Sequence, residues 1–236
     1  MLIIPTYNER QNIAPLVTRI RNAVGREPIL FVDDNSPDGT ADEIRRFQQD
    51  DSLIRLLARP GKSGFGSACR DGMKLALREN LEDYVILSDA DLSHPPELLP
   101  RMIELLKTNS VVIGSRYVEG GGASNWNIFR RGLSHGANLY ARWLTGVPVH
   151  DLTAGFVGYR TEALRAINLD DIRSEGYAFQ MEMKYDLHRR GIRFREFPIV
   201  FFGRHSGRSK FDRKILLEGV RFPLSVLAGR IAGHPI

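Results

Sequence analysis

Only one cysteine, Cys69, occurs in the 236 residues, so no intrachain disulfide can form and a reducing compartment is expected. No stretch reaches the roughly 18 uninterrupted apolar residues that a spanning helix needs. Met1 runs straight into Leu2-Ile3-Ile4-Pro5 with no basic segment, so no signal peptide is expected, and the chain reads as soluble or peripheral. Internal repeats, low-complexity tracts and a clear linker are missing too. Two nucleotide-binding motifs fail on inspection. Gly61-Lys62-Ser63 lacks the glycine that a P-loop places five residues before its last one, since Leu56 stands there. Gly64-Phe65-Gly66 lacks the third glycine of a dinucleotide fingerprint, since Cys69 stands there. These glycines read as a tight turn, with Lys62 available to face a phosphate. Nor is there a compelling Ser/His/Asp or paired acid–base constellation.

What is present fits one large domain with a substantial core, 42% of the residues being hydrophobic. Lys+Arg number 33 against 28 Asp+Glu, a net charge of +5. That mild basic excess suits anionic partners: phosphates, an acidic membrane surface or nucleic acid.

The stretch that organises the rest is Leu87-Ser88-Asp89-Ala90-Asp91-Leu92-Ser93-His94-Pro95-Pro96. Tyr84-Val85-Ile86-Leu87 ahead of it reads as a buried strand. The two prolines suit the first turn of a helix. Asp89 and Asp91 therefore leave a strand at its carboxyl end, the usual ligand edge of an open α/β sheet. Two carboxylates so close repel unless a cation joins them, and Mg²⁺ typically takes one or two carboxylates plus substrate phosphates. Taken alone, Asp-x-Asp is explained equally by an acidic turn capping a helix.

In chain order, strands are expected over 2–4, 28–32, 53–58, 84–87 and 111–114. Helices are expected over 10–24, from 40 onward, up to about 80, and over 95–107. Asn8 with Gln11, and Thr40 with Glu43, resemble capping boxes. The alternation predicts an α/β fold with a mostly parallel central sheet flanked by helices. Its loops at Thr6 to Glu9, Asp33 to Asp38, Lys62 and Asp89 to Ser93 then surround one cleft. Beyond Arg116 the pattern loosens into a Gly-rich stretch, helices near 128–144 and 177–190, a strand over 194–201, a basic loop and an apolar end.

Acids gather on one side of the expected cleft and bases on the other. Arg116 directly follows a strand. Arg130 and Ser134, four apart, share a helix face and suit one phosphate. Arg204-His205-Ser206-Gly207-Arg208-Ser209-Lys210 holds three Lys or Arg residues among glycines and serines, a loop that can wrap a ligand as well as a solvated basic face.

Taken together the motifs are Pro5-Thr6-Tyr7-Asn8-Glu9, Val32 through Thr40, Asp89 through Pro96, Gly114-Ser115-Arg116-Tyr117, Asn125-Trp126 with Arg130 and Ser134, Asp151 through Phe156, Gly176 through Glu182, and Arg204 through Lys210. On these the sequence resembles glycosyltransferase family 2, of GT-A fold, and within it the dolichol-phosphate or polyprenyl-phosphate mannose synthases. The resemblance covers nearly the whole chain. It implies a single GT-A catalytic domain over 1–236: a Rossmann-like nucleotide-sugar half (1–115), an acceptor half (116–210) and a membrane-proximal tail (211–236).

The resemblance also implies residue roles. Pro5, Tyr7, Glu9, Val32 and Asp34 form the nucleoside pocket, with Asp34 at the base and Glu9 near the ribose. Asp89, Ala90 and Asp91 meet the metal and diphosphate. Ser93 stands where some relatives carry a glutamine metal ligand. Arg116, Arg130 and Ser134 take the lipid phosphate, and Asp91 and Arg116 are the catalytic pair. Arg204 and Lys210 close on the donor diphosphate. Asp151 and Gln180 lie in family motifs without a role of their own. Asp151 reads equally as a cap toward Thr153, and Trp126 as a core or membrane-edge aromatic.

The implied reaction moves mannose from GDP-mannose to dolichyl or polyprenyl phosphate, with Mg²⁺ or Mn²⁺ and inversion at the anomeric carbon. The expected place is the cytoplasmic face of a membrane, reached by residues 222–231 or through a separate anchoring subunit. Three rivals stay open here. They are a polyprenyl-phosphate glucosyltransferase using UDP-glucose, a non-catalytic nucleotide-binding module, and a nucleic-acid-binding protein. Nucleic acid is the weakest, because the bases are dispersed among acids rather than interleaved with aromatics.

Overall fold

The structure is a computed structural model that describes residues 1–80, 82–124, 126–203 and 213–232, with side chains in the last segment from residue 217. Among these, the strands are β1 (Leu2–Thr6), β2 (Ile29–Asp33), β3 (Ile54–Ala58), β4 (Tyr84–Leu87), β5 (Val111–Ser115), β6 (Gly122–Ala123), β7 (Val157–Arg160), β8 (Phe194–Pro198) and β9 (Val200–Phe201). Seven form one sheet in the order β3-β2-β1-β4-β7-β5-β8, while β6 and β9 pair separately. Every pairing in the large sheet is parallel except those of β7, which runs against both β4 and β5.

The helices are α1 (Arg10–Val24), α2 (Thr40–Asp50), α3 (Phe65–Arg78), α4 (Leu99–Leu106), α5 (Ile128–Thr145), α6 (Thr161–Arg165), α7 (Gly176–Arg189) and α8 (Arg213–Ile231). Strand side chains alternate between the two faces of the sheet. Leu2, Ile4, Ile29 and Phe31 pack with Ile13, Leu16, Val17 and Ile20 of α1, whose spacing is a helical stripe. Ile3, Leu30 and Val32 pack with Ala68, Cys69 and Met73 of α3 on the other face. A Cβ at Gly72 would stand 2.7 Å from Ile3 Cγ2, so α3 lies directly on the strands.

Several local expectations need correction. Neither capping box forms: Glu9 and Gly39 are the N-caps of α1 and α2, and neither makes a side-chain cap bond. The two helix starts are instead joined to each other. The Glu9 amide donates to Thr40 Oγ1 at 2.9 Å, the Arg10 amide to Asp38 Oδ2 at 3.2 Å, and the Thr40 hydroxyl to Asp38 Oδ1 at 2.5 Å. A partner from the adjacent loop thus replaces the local cap. The helix expected over 95–107 begins as a 3₁₀ turn, Pro96–Leu98, before α4. The strand expected over 194–201 breaks at Ile199, whose Cγ2 would stand 2.9 Å from a Cβ at Gly114.

β7 was absent from the sequence pattern and matters most for the site. It is four residues long, and a Cβ at Gly158 would meet Leu106 Cδ1 at 2.6 Å. The position is filled by α4 rather than by a side chain of its own, which erases the hydrophobic signal. Because β7 runs backward, the segment before it arrives at the edge where β1, β2, β4 and β5 end. Residues 151–156 therefore join the cleft.

Candidate functional site

The ends of β1 and β2 build one wall. Pro5 and Val32 are register partners. Asp33 is internal, accepting from Thr6 Oγ1 (3.0 Å) and from the amide and hydroxyl of Ser36 (2.9 and 2.6 Å). Asp34, buried, accepts from Arg59 Nη1 at 2.6 Å and from the amides of Ser63 and Gly64 at 2.9 Å each. Its charge thereby fixes the 59–64 loop, which sets Lys62 Nζ 4.2 Å from the centre of the Tyr7 ring. Glu9, also buried, accepts from Asn12 Nδ2 at 2.6 Å. Pro5, Tyr7, Glu9, Val32 and Asp34 are thus brought to adjoining strand ends. The first turn of α3 is filled internally: Glu175 accepts from the amides of Gly66 (2.6 Å) and Ser67 (2.9 Å). Burial raises the Glu175 carboxyl against those bonds and Arg70. A protein carboxylate thus occupies the helix start where a P-loop would hold phosphate, in keeping with the tight-turn reading.

The acidic stretch sits at the end of β4. The Asp89 amide donates to His94 Nδ1 at 3.1 Å, which leaves the ring proton on Nε2, 3.8 Å from Asp89 Oδ2. His94 is buried and stacks on Phe156 with ring centres 5.4 Å apart. Gly155 lies alongside: a Cβ there would stand 3.4 Å from His94 Cε1 and 3.7 Å from Asp89 Oδ1. Asp91 is buried, and its Oδ1 accepts from the Ser93 amide at 3.1 Å. Between them Leu92 takes φ 62°, a left-handed conformation that costs a bulky residue on the order of 1–3 kcal/mol. The turn that stacks Asp91 beside Ser93 is held at the expense of local strain.

A divalent cation fits this donor set. Asp89 keeps 32% of its side chain exposed, Asp91 follows two residues on and is buried, and Ser93 Oγ is buried without a hydrogen-bond partner among the described residues. All are hard oxygen donors. Among the described residues no group of three or more His, Cys, Asp or Glu could hold a metal ion, so a cation here would complete its shell with ligand oxygens.

Arg116 follows the end of β5, at the same sheet edge. Its Nε and Nη2 donate to Asp151 Oδ2 and Oδ1 at 2.7 Å each, its backbone amide to Asp151 Oδ2 at 3.0 Å, and Nη2 also to Thr153 Oγ1 at 2.7 Å. Burial opposes both charges, but the pairing wins: Arg116 is raised above its ordinary value and Asp151 is held below its own. The guanidinium carbon also lies 5.3, 5.6 and 5.7 Å from the rings of Tyr117, Trp126 and Phe201. Phe201 touches both sides of the cleft, standing edge-on to His94 at 5.7 Å. Arg116 and His94, the latter 3.8 Å from Asp89 Oδ2, thus share one ring.

α5 closes the basic side. Arg130 lies 4.4 Å above the Trp126 ring, and Ser134 Oγ is 2.7 Å from the Tyr117 hydroxyl. Asn138 ties this helix to the incoming segment, donating to Thr153 Oγ1 at 3.1 Å and accepting from its amide at 3.3 Å. A cavity of about 730 Å³ opens beside Arg116, Tyr117 and Trp126, with Ile128, Arg131 and His135 of α5 on its wall. Arg131 and His135 are each one residue beyond the expected Arg130 and Ser134.

The expected Arg204 and Lys210 lie outside the described residues, as does Asn125. Asp151 gains a role as the anchor of Arg116. Gln180 is buried, and both ends of its carboxamide are unpartnered among the described residues. Asn138 carried no sequence signal, and Thr153 and the strained Leu92 stood in motifs without a role of their own, since each acts through a tertiary contact or the backbone.

Comparison with known proteins follows the same lines. Residues 1–167 match the family described as glycosyl transferase family 2. The chain is 42% identical over 220 residues to an undecaprenyl-phosphate mannosyltransferase of Micrococcus luteus, covering 93% of this chain and 90% of that one. It is 40% identical to a polyprenol monophosphomannose synthase of Mycolicibacterium smegmatis, covering 93% and 83%. It is 33% identical to a dolichol-phosphate mannosyltransferase of Saccharomyces cerevisiae, covering 92% and 82%. Among solved structures, glucosyl-3-phosphoglycerate synthase from Mycobacterium tuberculosis, crystallised with Mn²⁺, UDP and glucosyl-3-phosphoglycerate, superposes with a TM-score of 0.66 at 17% identity, covering all of this chain and 80% of that one. At that identity the likeness speaks for the fold, and it agrees with the expected GT-A architecture. A strand–helix core from the first residue, an Asp-x-Asp turn at the central strand end and relatives matched along nearly the whole chain converge on one assignment: this protein belongs to glycosyl transferase family 2.

Proposed function

We propose that this chain transfers mannose from GDP-mannose to a polyprenyl or dolichyl phosphate at a membrane surface. The observation that carries the reading is the arginine side of the cleft. Arg116 is locked by Asp151, flanked by Arg130 through Trp126, and shares the Phe201 ring with His94, the neighbour of Asp89. Relatives named as mannosyltransferases to undecaprenyl, polyprenol and dolichol phosphates support the choice of sugar and acceptor.

A phosphate monoester has its second pKa near ~6, so this acceptor is largely a dianion at neutral pH and needs no strong general base. The difficulty is bringing it beside an anionic donor. Arg116 and Arg130 supply the compensating charge and orient the attacking oxygen for in-line displacement with inversion. Pro5, Tyr7, Glu9, Val32 and Asp34 take the nucleoside, and Asp34 acts there at least in part by holding the loop that carries Lys62. Mg²⁺ or Mn²⁺, held by Asp89, Asp91 and Ser93 Oγ, would supply Lewis-acid neutralisation of the leaving diphosphate. Arg204 and Lys210 would add charge-assisted hydrogen bonds to the same diphosphate.

The helix that carries Arg130 and Ser134 also supports work at a lipid surface. Ile128, Phe129 and Trp143 of α5 are 88%, 79% and 79% exposed. No helix among the described residues is long and apolar enough to cross a membrane. A surface-lying helix with arginines beside exposed apolar groups brings the charged acceptor to the cleft while its tail stays in lipid. We place the reaction at the cytoplasmic face of that membrane. Purified protein given labelled GDP-mannose and polyprenyl phosphate should form labelled lipid, and labelled UDP-glucose should not replace it. Glucose transfer without mannose transfer would overturn the donor, and transfer from neither would overturn this acceptor reading.

A further inference from the structure

Lys184 of α7 is wholly buried and plays no part in the reaction as described. Its amine donates to three backbone carbonyls: Leu152 at 3.0 Å, Ala154 at 2.9 Å and Gln180 at 3.3 Å. An ammonium has three N–H donors and no acceptor, so these contacts use all three. Two of the carbonyls flank Thr153. Along residues 151–154 the pattern therefore alternates: the side chains of Asp151 and Thr153 hold Arg116, while the carbonyls of Leu152 and Ala154 are tied to α7. An apolar side chain of similar length would fill the space without desolvating a charge, but it would leave those carbonyls unpaired.

We propose that Lys184 is a positioning residue for the acceptor phosphate: by pinning residues 151–155 it holds Asp151 and Thr153 where they fix the Arg116 guanidinium in one orientation. Burial drives its ammonium down to about 7, while Asp151 and Glu196 pull it up and Arg116 pushes it down.

The inference rests on the acceptor role proposed for Arg116. Its test is a double-mutant cycle read on kcat/KM for polyprenyl phosphate and on the Kd of a short-chain prenyl phosphate measured without donor. Lys184→Met should lower kcat/KM for the acceptor by about 10²-fold, the scale of an ångström-sized misplacement, and leave the KM for the sugar nucleotide unchanged. In an Arg116→Ala background the same substitution should add no further loss, because both act through one guanidinium. An equal fold loss in both backgrounds, or an equal rise in KM for both substrates, overturns the inference. If Lys184→Met does not fold, Lys184→Gln, which keeps two N–H donors without the charge, enters the cycle under the same criteria. Absence of transfer by the wild-type protein would count against the proposed function instead, since the prenyl phosphate Kd needs no turnover.

Discussion

The Arg116–Asp151 pair is held by geometry that leaves neither charge an alternative. The side chains are 9% and 0% exposed, and two parallel N–H···O bonds join them. Removing one partner strands the other. Asp151→Ala should cost about 3–5 kcal/mol of folding stability, the usual scale for orphaning a buried charge, read by urea unfolding; a loss within experimental error would mean water reaches Arg116 more freely than its burial indicates. Lys184 gives a second expectation, with a sign. Its ordinary value is 10.5 and its folded value about 7, so across that window the folded chain has released a proton that the unfolded chain keeps. Stability therefore rises with pH there on this residue's account, and the penalty is full below the folded value. Wild type should gain stability between about pH 7 and pH 9 relative to Lys184→Met; parallel pH profiles for the two would refute a depressed Lys184.

At the scale of elements, the legible parts were those whose own side chains carry the signal. The first five strands and α1 follow from apolar runs and helical spacing, because all but β3, which buries only Ile54, bury several of their own residues. The first turn of α1 was misread because its cap comes from Asp38 and Thr40, 28 and 31 residues away. β7 was missed because α4 fills the space its glycine leaves. The apolar stretch 222–231, expected to reach the membrane, lies within α8. It packs on the domain, with Val226 buried and the Tyr140 hydroxyl donating to Val220 O at 3.1 Å, yet Leu217, Leu224 and Ile231 remain 56%, 47% and 79% exposed. Together with α5 it presents apolar groups to solvent. Ile128→Ser with Phe129→Ser should abolish sedimentation with anionic vesicles while leaving the melting temperature unchanged, since neither side chain is packed. Undiminished vesicle binding would move the lipid contact off α5.

For the molecule as a whole, residue types at strand ends suggest acids and bases around one cleft, and the structure packs Arg116 and His94 on the same Phe201 ring. The sequence offered Asp151 only a capping role toward Thr153, because its partner Arg116 lies 35 residues earlier and is reached through the reversed strand β7. Family resemblance could name Asp89, Asp91 and Arg116, but it could not supply the Leu92 strain, the Thr153–Asn138 link or the Lys184 strut, all of which are contacts rather than letters. The metal-dependent half of the proposed chemistry stands on the carboxylates at the end of β4. Labelled mannose transfer from GDP-mannose to polyprenyl phosphate should therefore be compared for wild type and Asp91→Asn, with Mn²⁺ and with chelator, the fold being followed by its melting curve. Transfer should disappear with chelator and fall at least about 10²-fold in the variant, as expected when a preorganised charge-stabilising group is lost, while the melting curve persists. Wild-type rates from folded Asp91→Asn would show that the leaving diphosphate is stabilised elsewhere.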